Sequence, residues 1–292
     1  MVTLRAGAVS DRGRVRERNE DSVMSGAALF AVADGMGGHA AGEVASSIVT
    51  GRLRPLEQRD RLTPEDVRVA LGRANREILT KMRRDPRYAG MGTTVAGICL
   101  THVEGEPQWM VFNVGDSRVY RFADGTLRQV TVDHSEVGEM VAAGMISREA
   151  ARHHPRRNVV TRALGMDPAP DLDVWMLPPT AGERYVVCSD GLSAEIADAD
   201  IAGVLRDEPV AGDAAEALVR AALLAGGRDN VSVIVVDHLT APAAQSASAT
   251  QRAPAAQPSP AIRPANQRAT GRGAAGNRAG VGERRGRAGG SR

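Results

Sequence analysis

Only two cysteines, Cys99 and Cys188, occur in the 292 residues of this chain. Two thiols cannot form a disulfide framework or a thiolate zinc site. Both lie in apolar runs and read as small buried hydrophobes rather than nucleophiles. Aromatic residues are scarce at 3%, and none follows residue 240, so base stacking on a nucleic acid has no platform there. No apolar run approaches the roughly 18 residues of a membrane span. No internal repeat of solenoid period is visible. Met1-Val2-Thr3-Leu4-Arg5 leads into a strand-like segment rather than a secretion signal. The expectation is a cytoplasmic, monomeric protein held together by its core.

Charge is unevenly distributed. The formal net charge is +2. Residues 241–292 hold nine arginines and one acid, Glu283, and so carry +8; the 28 basic and 34 acidic residues before them carry −6. The last segment is mostly Ala, Pro, Gly, Gln, Ser and Arg. Such a stretch buries too little apolar surface to offset its ordering entropy. We read residues 1–240 as the folded domain and 241–292 as a disordered basic tail. An acidic partner or a nucleic acid could meet that tail electrostatically, although a solubilising appendage is the favoured reading.

What is present is a set of aspartates at the ends of apolar runs. Leu29-Phe30-Ala31-Val32-Ala33 precedes Asp34, and Trp109 to Gly115 precedes Asp116. Tyr185 to Ser189 precedes Asp190, and Asp229 stands before Val231 to Val236. Short β-branched runs read as buried strands. Carboxylates converging from several strand tips would repel one another unless cations neutralise them, and clustered oxygen ligands suit hard divalent cations. Mg²⁺ or Mn²⁺ is expected ahead of zinc. Asp-Gly is also a turn dipeptide. Asp124-Gly125, between polar-alternating segments, reads as a hairpin turn, and Asp190-Gly191 alone does not separate turn from ligand. Asp34 opens Asp34-Gly35-Met36-Gly37-Gly38-His39, whose glycines let backbone carbonyls approach an ion.

Six blocks then stand in order: Arg16-Glu17-Arg18-Asn19-Glu20-Asp21, Asp34 to Glu43, Gly92-Thr93-Thr94, Asn113 to Arg118, Cys188-Ser189-Asp190-Gly191-Leu192, and Asp229-Asn230-Val231-Ser232-Val233. In this order they resemble the bacterial metal-dependent serine/threonine protein phosphatases of the PP2C type, across residues 5–238. The resemblance implies that Asp34 bridges two metals, that the Gly35 carbonyl binds one, and that Asp190 and Asp229 bind the other. It implies a third, weaker metal site at Asp116, with Asn158 within reach from a mobile flap near Glu136–Asn158. Asp21 would orient metal-bound water and Arg16 would bind substrate phosphate. The implied cofactors are Mn²⁺ or Mg²⁺. The implied partners are phosphorylated proteins, bacterial serine/threonine kinases and their substrates among them.

The chemistry suits these residue types. Two metals can lower the pKa of water from about 15.7 toward about 7, and a guanidinium fork matches phosphate oxygens. By composition alone, Arg16 is equally a solvated strand end. Eukaryotic members carry a histidine directly after the Asp-Gly, and Met36 occupies that place here. His39 is either a leaving-group acid or a residue that packs near a helix start. His153-His154 reads as solvated flap rather than a metal pair. Two other functions stay open: a regulatory pseudophosphatase that only binds, which the retained aspartates argue against, and a phosphatase of small phosphorylated metabolites.

The spacing predicts nine strands, near Thr3–Val9, Ala28–Ala33, Thr94–Leu100, Trp109–Val114, Val119–Phe122, Leu127–Val130, Leu172–Met176, Arg184–Ser189 and Val231–Val236. One helix is expected from Ala41, with Val44, Ala45, Ile48, Val49 and Leu53 on its inner face. A second runs from Thr63-Pro64 to about Arg84 with Val67, Leu71, Ala74, Ile78 and Met82 inward. A third covers Ala214–Leu224 and stops at Gly226-Gly227. The expected class is α+β. The resemblance narrows it to a four-layer αββα sandwich, two antiparallel sheets face to face with helices outside.

Overall fold

A computed structural model describes residues 3–37, 41–59 and 61–239. The basic tail and His39 lie outside the described residues. Two five-stranded antiparallel sheets form the centre. In the first, β1 (Thr3–Asp11), β12 (Val231–Leu239), β11 (Arg184–Cys188), β8 (Arg118–Ala123) and β9 (Thr126–Gln129) lie side by side in that order. In the second the order is β10 (Asp173–Leu177), β7 (Glu106–Val114), β6 (Val95–Val103), β3 (Leu29–Ala33) and β2 (Ser22–Ser25). A two-stranded ribbon joins β4 (Gly35–Met36) to β5 (Gly92–Thr93).

Strand periodicity explains the layers. Successive side chains point to opposite faces. Phe30, Val32, Ile98, Trp109 and Val111 of the second sheet meet Val119, Tyr185, Val187, Ile234 and Val236 of the first in an inner core. The alternate residues Leu29, Ala31, Ala33, Cys99 and Phe112 face outward, under helices α1 (Ala41–Leu53) and α2 (Pro64–Arg84). Val186, Cys188, Val233 and Val235 likewise face α6 (Asp198–Asp207) and α7 (Ala211–Ala225). Both faces of each central strand are covered, so the strands read as unbroken apolar runs. This is the four-layer sandwich.

Local signals are realised closely in several places. Thr63 and Asp66 form a capping box at the start of α2. Asp124 (φ 51°) and Gly125 (φ 70°) make the two-residue turn between β8 and β9, the geometry expected of a primed hairpin turn. The inner face of α1 differs from its apolar pattern. Val44 and Ile48 sit at the margin, while Ser46 and Thr50 are buried. Their hydroxyls are satisfied: Ser46 donates to the Glu20 carbonyl at 2.6 Å and Thr50 pairs with Ser22 at 2.8 Å. Helix α7 starts at Ala211, three residues before its predicted start. Between β9 and β10 the chain forms two short helices, α3 (Glu136–Ala142) and α4 (Arg148–Arg152), each capped by a serine, Ser135 and Ser147. After β11 comes a single turn, α5 (Asp190–Ser193).

Candidate metal centre

The sandwich places the aspartates at one edge of the sheet pair. Asp34 directly follows β3 and Asp116 follows β7, both from the second sheet. Asp190 opens α5 just after β11, and Asp229 stands just before β12, both from the first sheet. Asp21 immediately precedes β2. Asp190-Gly191 is therefore a strand-to-helix junction, not a hairpin turn.

Electrostatics shows that these groups share one environment. Burial pushes the Asp34 carboxyl well above its ordinary range, and the nearby charges of Asp21, Asp190, Asp116 and Asp229 add to the effect. Asp116 is raised in the same way, by burial and then by Asp190. Asp190 is raised by burial and by Asp229, with partial relief from a hydrogen bond with the Asp34 carboxyl. Asp21 is pushed up to about 7 by burial. Desolvation and like charge both disfavour the ionised form. Two cations offset this in part: Arg118, beside Asp116 and Asp190, and Arg16, whose guanidinium donates to Asp229 Oδ2 at 2.7 Å.

Backbone anchors fix this geometry. The Asp34 carbonyl accepts from the Thr94 amide at 2.9 Å and from Thr93 Oγ1 at 2.8 Å, while the Asp34 amide donates to Thr94 Oγ1 at 3.2 Å. Thr94 Oγ1 also pairs with Ser117 Oγ at 2.7 Å, which ties the Asp34 turn to the Asp116 turn. Gly115 (φ +111°) presses on Thr94, where a Cβ would come within 2.5 Å of the threonine. Its amide donates to His134 Nδ1 at 3.1 Å. That bond makes Nδ1 an acceptor, so Nε2 carries the proton toward Asp173 at 3.1 Å. Asn230 staples the Arg16 loop in place. Its side chain donates to the carbonyls of Arg12 and Arg18 at 2.9 and 2.8 Å and accepts from the Glu20 amide at 2.8 Å.

The donor set fits hard cations. Among the described residues it is all oxygen, with no cysteine or histidine among the clustered side chains. Asp21 Oδ1 is buried without a hydrogen-bond partner. Gly35 is pressed so closely against the Glu20 and Gly42 carbonyls that a Cβ would lie 2.4 and 2.3 Å from their oxygens. Among the described residues no three acidic, histidine or cysteine side chains close on one point as a finished cage. Asp229 accounts for part of this: its two oxygens are engaged by Arg16 and by the Asn230 amide. The cluster is a concentration of unneutralised oxygen donors rather than a closed shell.

Two cavities adjoin it. One, of about 430 Å³, is lined by Asp116, Asp190, Arg118, Arg152 and Asn158. The other, of about 400 Å³, is lined by Asp190, Asp229, Arg157, Arg228 and Asn158. Asn158 thus lines both cavities. Arg152 straps α4 to the domain by donating to the Ser193 and Ile196 carbonyls at 3.1 and 3.3 Å. His153 is exposed beside Glu149, not paired with a second histidine. Burial pushes the Cys99 and Cys188 thiols up to about 12, which leaves them unreactive.

Residues 13–222 match the family model described as protein phosphatase 2C. The chain belongs to the protein phosphatase 2C family. It is 44% identical over 241 residues to the serine/threonine protein phosphatase PstP of Mycobacterium tuberculosis, covering 81% of this chain and 45% of that protein. It is 33% identical to the serine/threonine phosphatase stp of Listeria monocytogenes, covering 82% of this chain and 98% of stp. The catalytic domain of PstP, solved with two manganese ions, superposes with a TM-score of 0.72 at 39% identity, over 82% of this chain and all of that one. The chain spans about half the length of PstP. As a PP2C chain it has the family's two antiparallel sheets flanked by helices, and the family is metal-dependent. Thr93, Thr94, Ser117 and Asn230 lie within the six ordered blocks but carry no task legible there, and His134 stands outside them. Their common signal is a polar side chain beside or within an apolar run, where burial demands a partner.

Proposed function

We propose that this PP2C domain hydrolyses phosphoserine and phosphothreonine on proteins with the help of Mn²⁺ or Mg²⁺. The observation that carries the reading is the gathering of five aspartates from both sheets at one edge, with a cation deficit that the protein itself does not fill. Asp34, the Gly35 carbonyl, Asp190 and Asp229 are the residues that would hold two cations. Asp116, with Asn158 nearby, would hold a third more weakly. When bound, such ions activate water and neutralise phosphate charge. Asp21 orients the attacking water through its free Oδ1. Arg16 keeps about half of its side chain exposed beside Asp229, so its fork can receive phosphate oxygens. Met36 offers no proton to the departing alkoxide, and solvent can supply one.

The names of the relatives support phosphoproteins as substrates, and bacterial serine/threonine kinases and their targets are the proposed class. We further propose a monomeric, cytoplasmic enzyme whose activity resides in residues 1–240. No helix among the described residues is long and apolar enough to cross a membrane. Turnover of a phosphothreonine peptide is expected with Mn²⁺ or Mg²⁺ and not in chelator, in the full chain and in a chain ending at residue 240. Full activity after metal stripping would refute the metal-dependent reading. A folded, Mn²⁺-binding protein without turnover would favour a binding module.

A further inference from the structure

Behind Asp21 lies a set of hydroxyl groups that none of the steps above uses. Asp21 Oδ2 accepts from Ser189 Oγ at 2.9 Å, and the Ser232 hydroxyl nearby, with that of Ser189, partly offsets the effect of burial on the carboxyl. Ser232 Oγ is 2.7 Å from Ser10 Oγ, its partner across the β1–β12 ladder. Ser10 Oγ accepts from Asn19 Nδ2 at 2.8 Å, and Asn19 Oδ1 accepts from the Asp21 amide at 3.2 Å. The chain of hydrogen bonds closes on the residue where it began. Ser189 and Ser232 are fully buried and also brace each other: the Ser232 amide donates to Ser189 Oγ at 3.0 Å, and the Ser189 amide donates to the Ser232 carbonyl at 3.0 Å.

The direction of these bonds follows from the inventory of donors. An amide NH₂ only donates, so Ser10 accepts from Asn19. Ser189 accepts the Ser232 amide and gives its hydroxyl proton to Asp21 Oδ2. Oδ2 is thus pinned, while Oδ1 stays without a partner. A carboxylate is a nearly two-fold rotor about its last torsion. Pinning one oxygen sets which way the other faces.

We propose that Ser10, Ser189, Ser232 and Asn19 are positioning residues that fix the rotation of the Asp21 carboxylate and hold Oδ1 toward the aspartate cluster. The proposal rests on the reading of Asp21 as the residue that orients water, and the experiment separates the two. A purely structural role for the serines, as partners for buried backbone, would act independently of Asp21.

The test is a double-mutant cycle in the full chain, with Ser189→Ala and Asp21→Asn alone and combined. Hydrolysis of p-nitrophenyl phosphate at saturating Mn²⁺ is read together with Mn²⁺ affinity by calorimetry and the melting temperature. Ser189→Ala should lower kcat about tenfold with little change in KM, as expected for a lost hydrogen bond to a charged group that works in the transition state. In the Asp21→Asn background it should change kcat less than about twofold, because the coupled partner is already gone. Equal losses in both backgrounds, or wild-type kcat in Ser189→Ala, would overturn the proposal. Where turnover is too slow to read, in the wild type or in Asp21→Asn, the same cycle in Mn²⁺ affinity decides: coupled effects support the ring and additive ones refute it. A wild type without turnover but with coupled Mn²⁺ effects would reject the phosphatase reading and keep the ring. If Ser189→Ala does not fold, Ser10→Ala takes its place in the cycle, since Ser10 lies on the exposed side of β1.

Discussion

Strands β11 and β12 bury acids at both of their ends, and the two ends treat them differently. At one end Glu183 is fully enclosed and accepts from Trp109 Nε1 at 2.9 Å, from the Thr180 amide at 2.7 Å and from Arg121. Beside it, Asp237 is paired with the buried Arg184 at 2.7 Å. At the other end, Asp190 and Asp229 face Asp34, Asp116 and Asp21, and among the described residues only Asp229 has an ion-pair partner, the half-exposed Arg16. The same two strands thus carry a neutralised end and a frustrated one. Where buried charge serves structure, the chain supplies the counter-charge itself. Where it does not, the deficit marks a place for something brought from outside.

The largest effect that would break this contrast is at the frustrated end. Asp34→Asn and Asp190→Asn should each lower turnover by roughly a thousandfold or more, as loss of a metal ligand implies. Each should also raise the melting temperature of the metal-free protein, because repulsion is relieved. Near-normal rates in either variant would remove that residue from the site. Asp237→Ala should do the reverse. It leaves Arg184 buried and unpaired, at a cost of about 3–5 kcal/mol in denaturant unfolding, with kcat per folded molecule unchanged.

Arg16 comes next. Arg16→Ala should cost roughly 2–4 kcal/mol of transition-state stabilisation and weaken inhibition by free phosphate. Arg16→Lys should restore only part of it, since an ammonium lacks the fork. The Arg16–Asp229 pair is half-exposed and contributes little to stability. Arg18→Ala is the neutral control. Arg14 is not, because its Nε donates to the Leu223 carbonyl at 2.7 Å near the end of α7. Equal losses at Arg16 and Arg18 would mean a diffuse basic patch.

The smallest effect sharpens the comparison through pH. Burial first, then neighbouring acids, raises the carboxyl of Asp21 to about 7 and those of Asp34, Asp116 and Asp190 in the same direction. A group whose folded pKa exceeds its unfolded value stabilises fully below the unfolded pKa, near 4, and loses that contribution as pH rises through the folded one. For Asp21 the window runs from about 4 to about 7. The metal-free protein should therefore melt at lower temperature at pH 8 than at pH 5. Mn²⁺ binding must release these protons, so its thermal shift should grow over the same range. At a hundredfold excess over Kd the shift should reach about 2.7 kcal/mol, or roughly 5–10 °C for a domain of this size. A shift independent of pH would mean that the aspartates do not titrate with metal.

Much of this was legible in the chain. The apolar runs ending in Asp34, Asp116 and Asp190 are strands whose two faces are both covered, and the ladder pairs follow from their alternation. Asp124-Gly125 was readable because its turn is local. Short elements were less so. Strand β2 is four residues long, and α3, α4 and α5 have seven residues or fewer, too few for a period to emerge. Ser46 and Thr50 of α1 were invisible as core because their partners, Glu20 and Ser22, are remote in sequence. For the same reason the aspartates could be seen, but not the threonines, serines and asparagine that hold them. A hydrogen bond between residues 189 and 21 has no local signature.

One feature of the topology bears on how the protein is made. The last strand, β12, lies between β1 and β11, so the first strand has no ladder partner until residues 231–239 exist. A ribosome emitting this chain holds a half-built sheet until residues 231–239 emerge, with β1 and β11 presenting unpaired edges. Asp229 and Asn230 arrive only then, and with them the staple of the Arg16 loop. The domain therefore closes late and all at once. Until the final strand slots in, the nascent chain needs protection from sticking to its neighbours, and no shorter product can carry a finished centre.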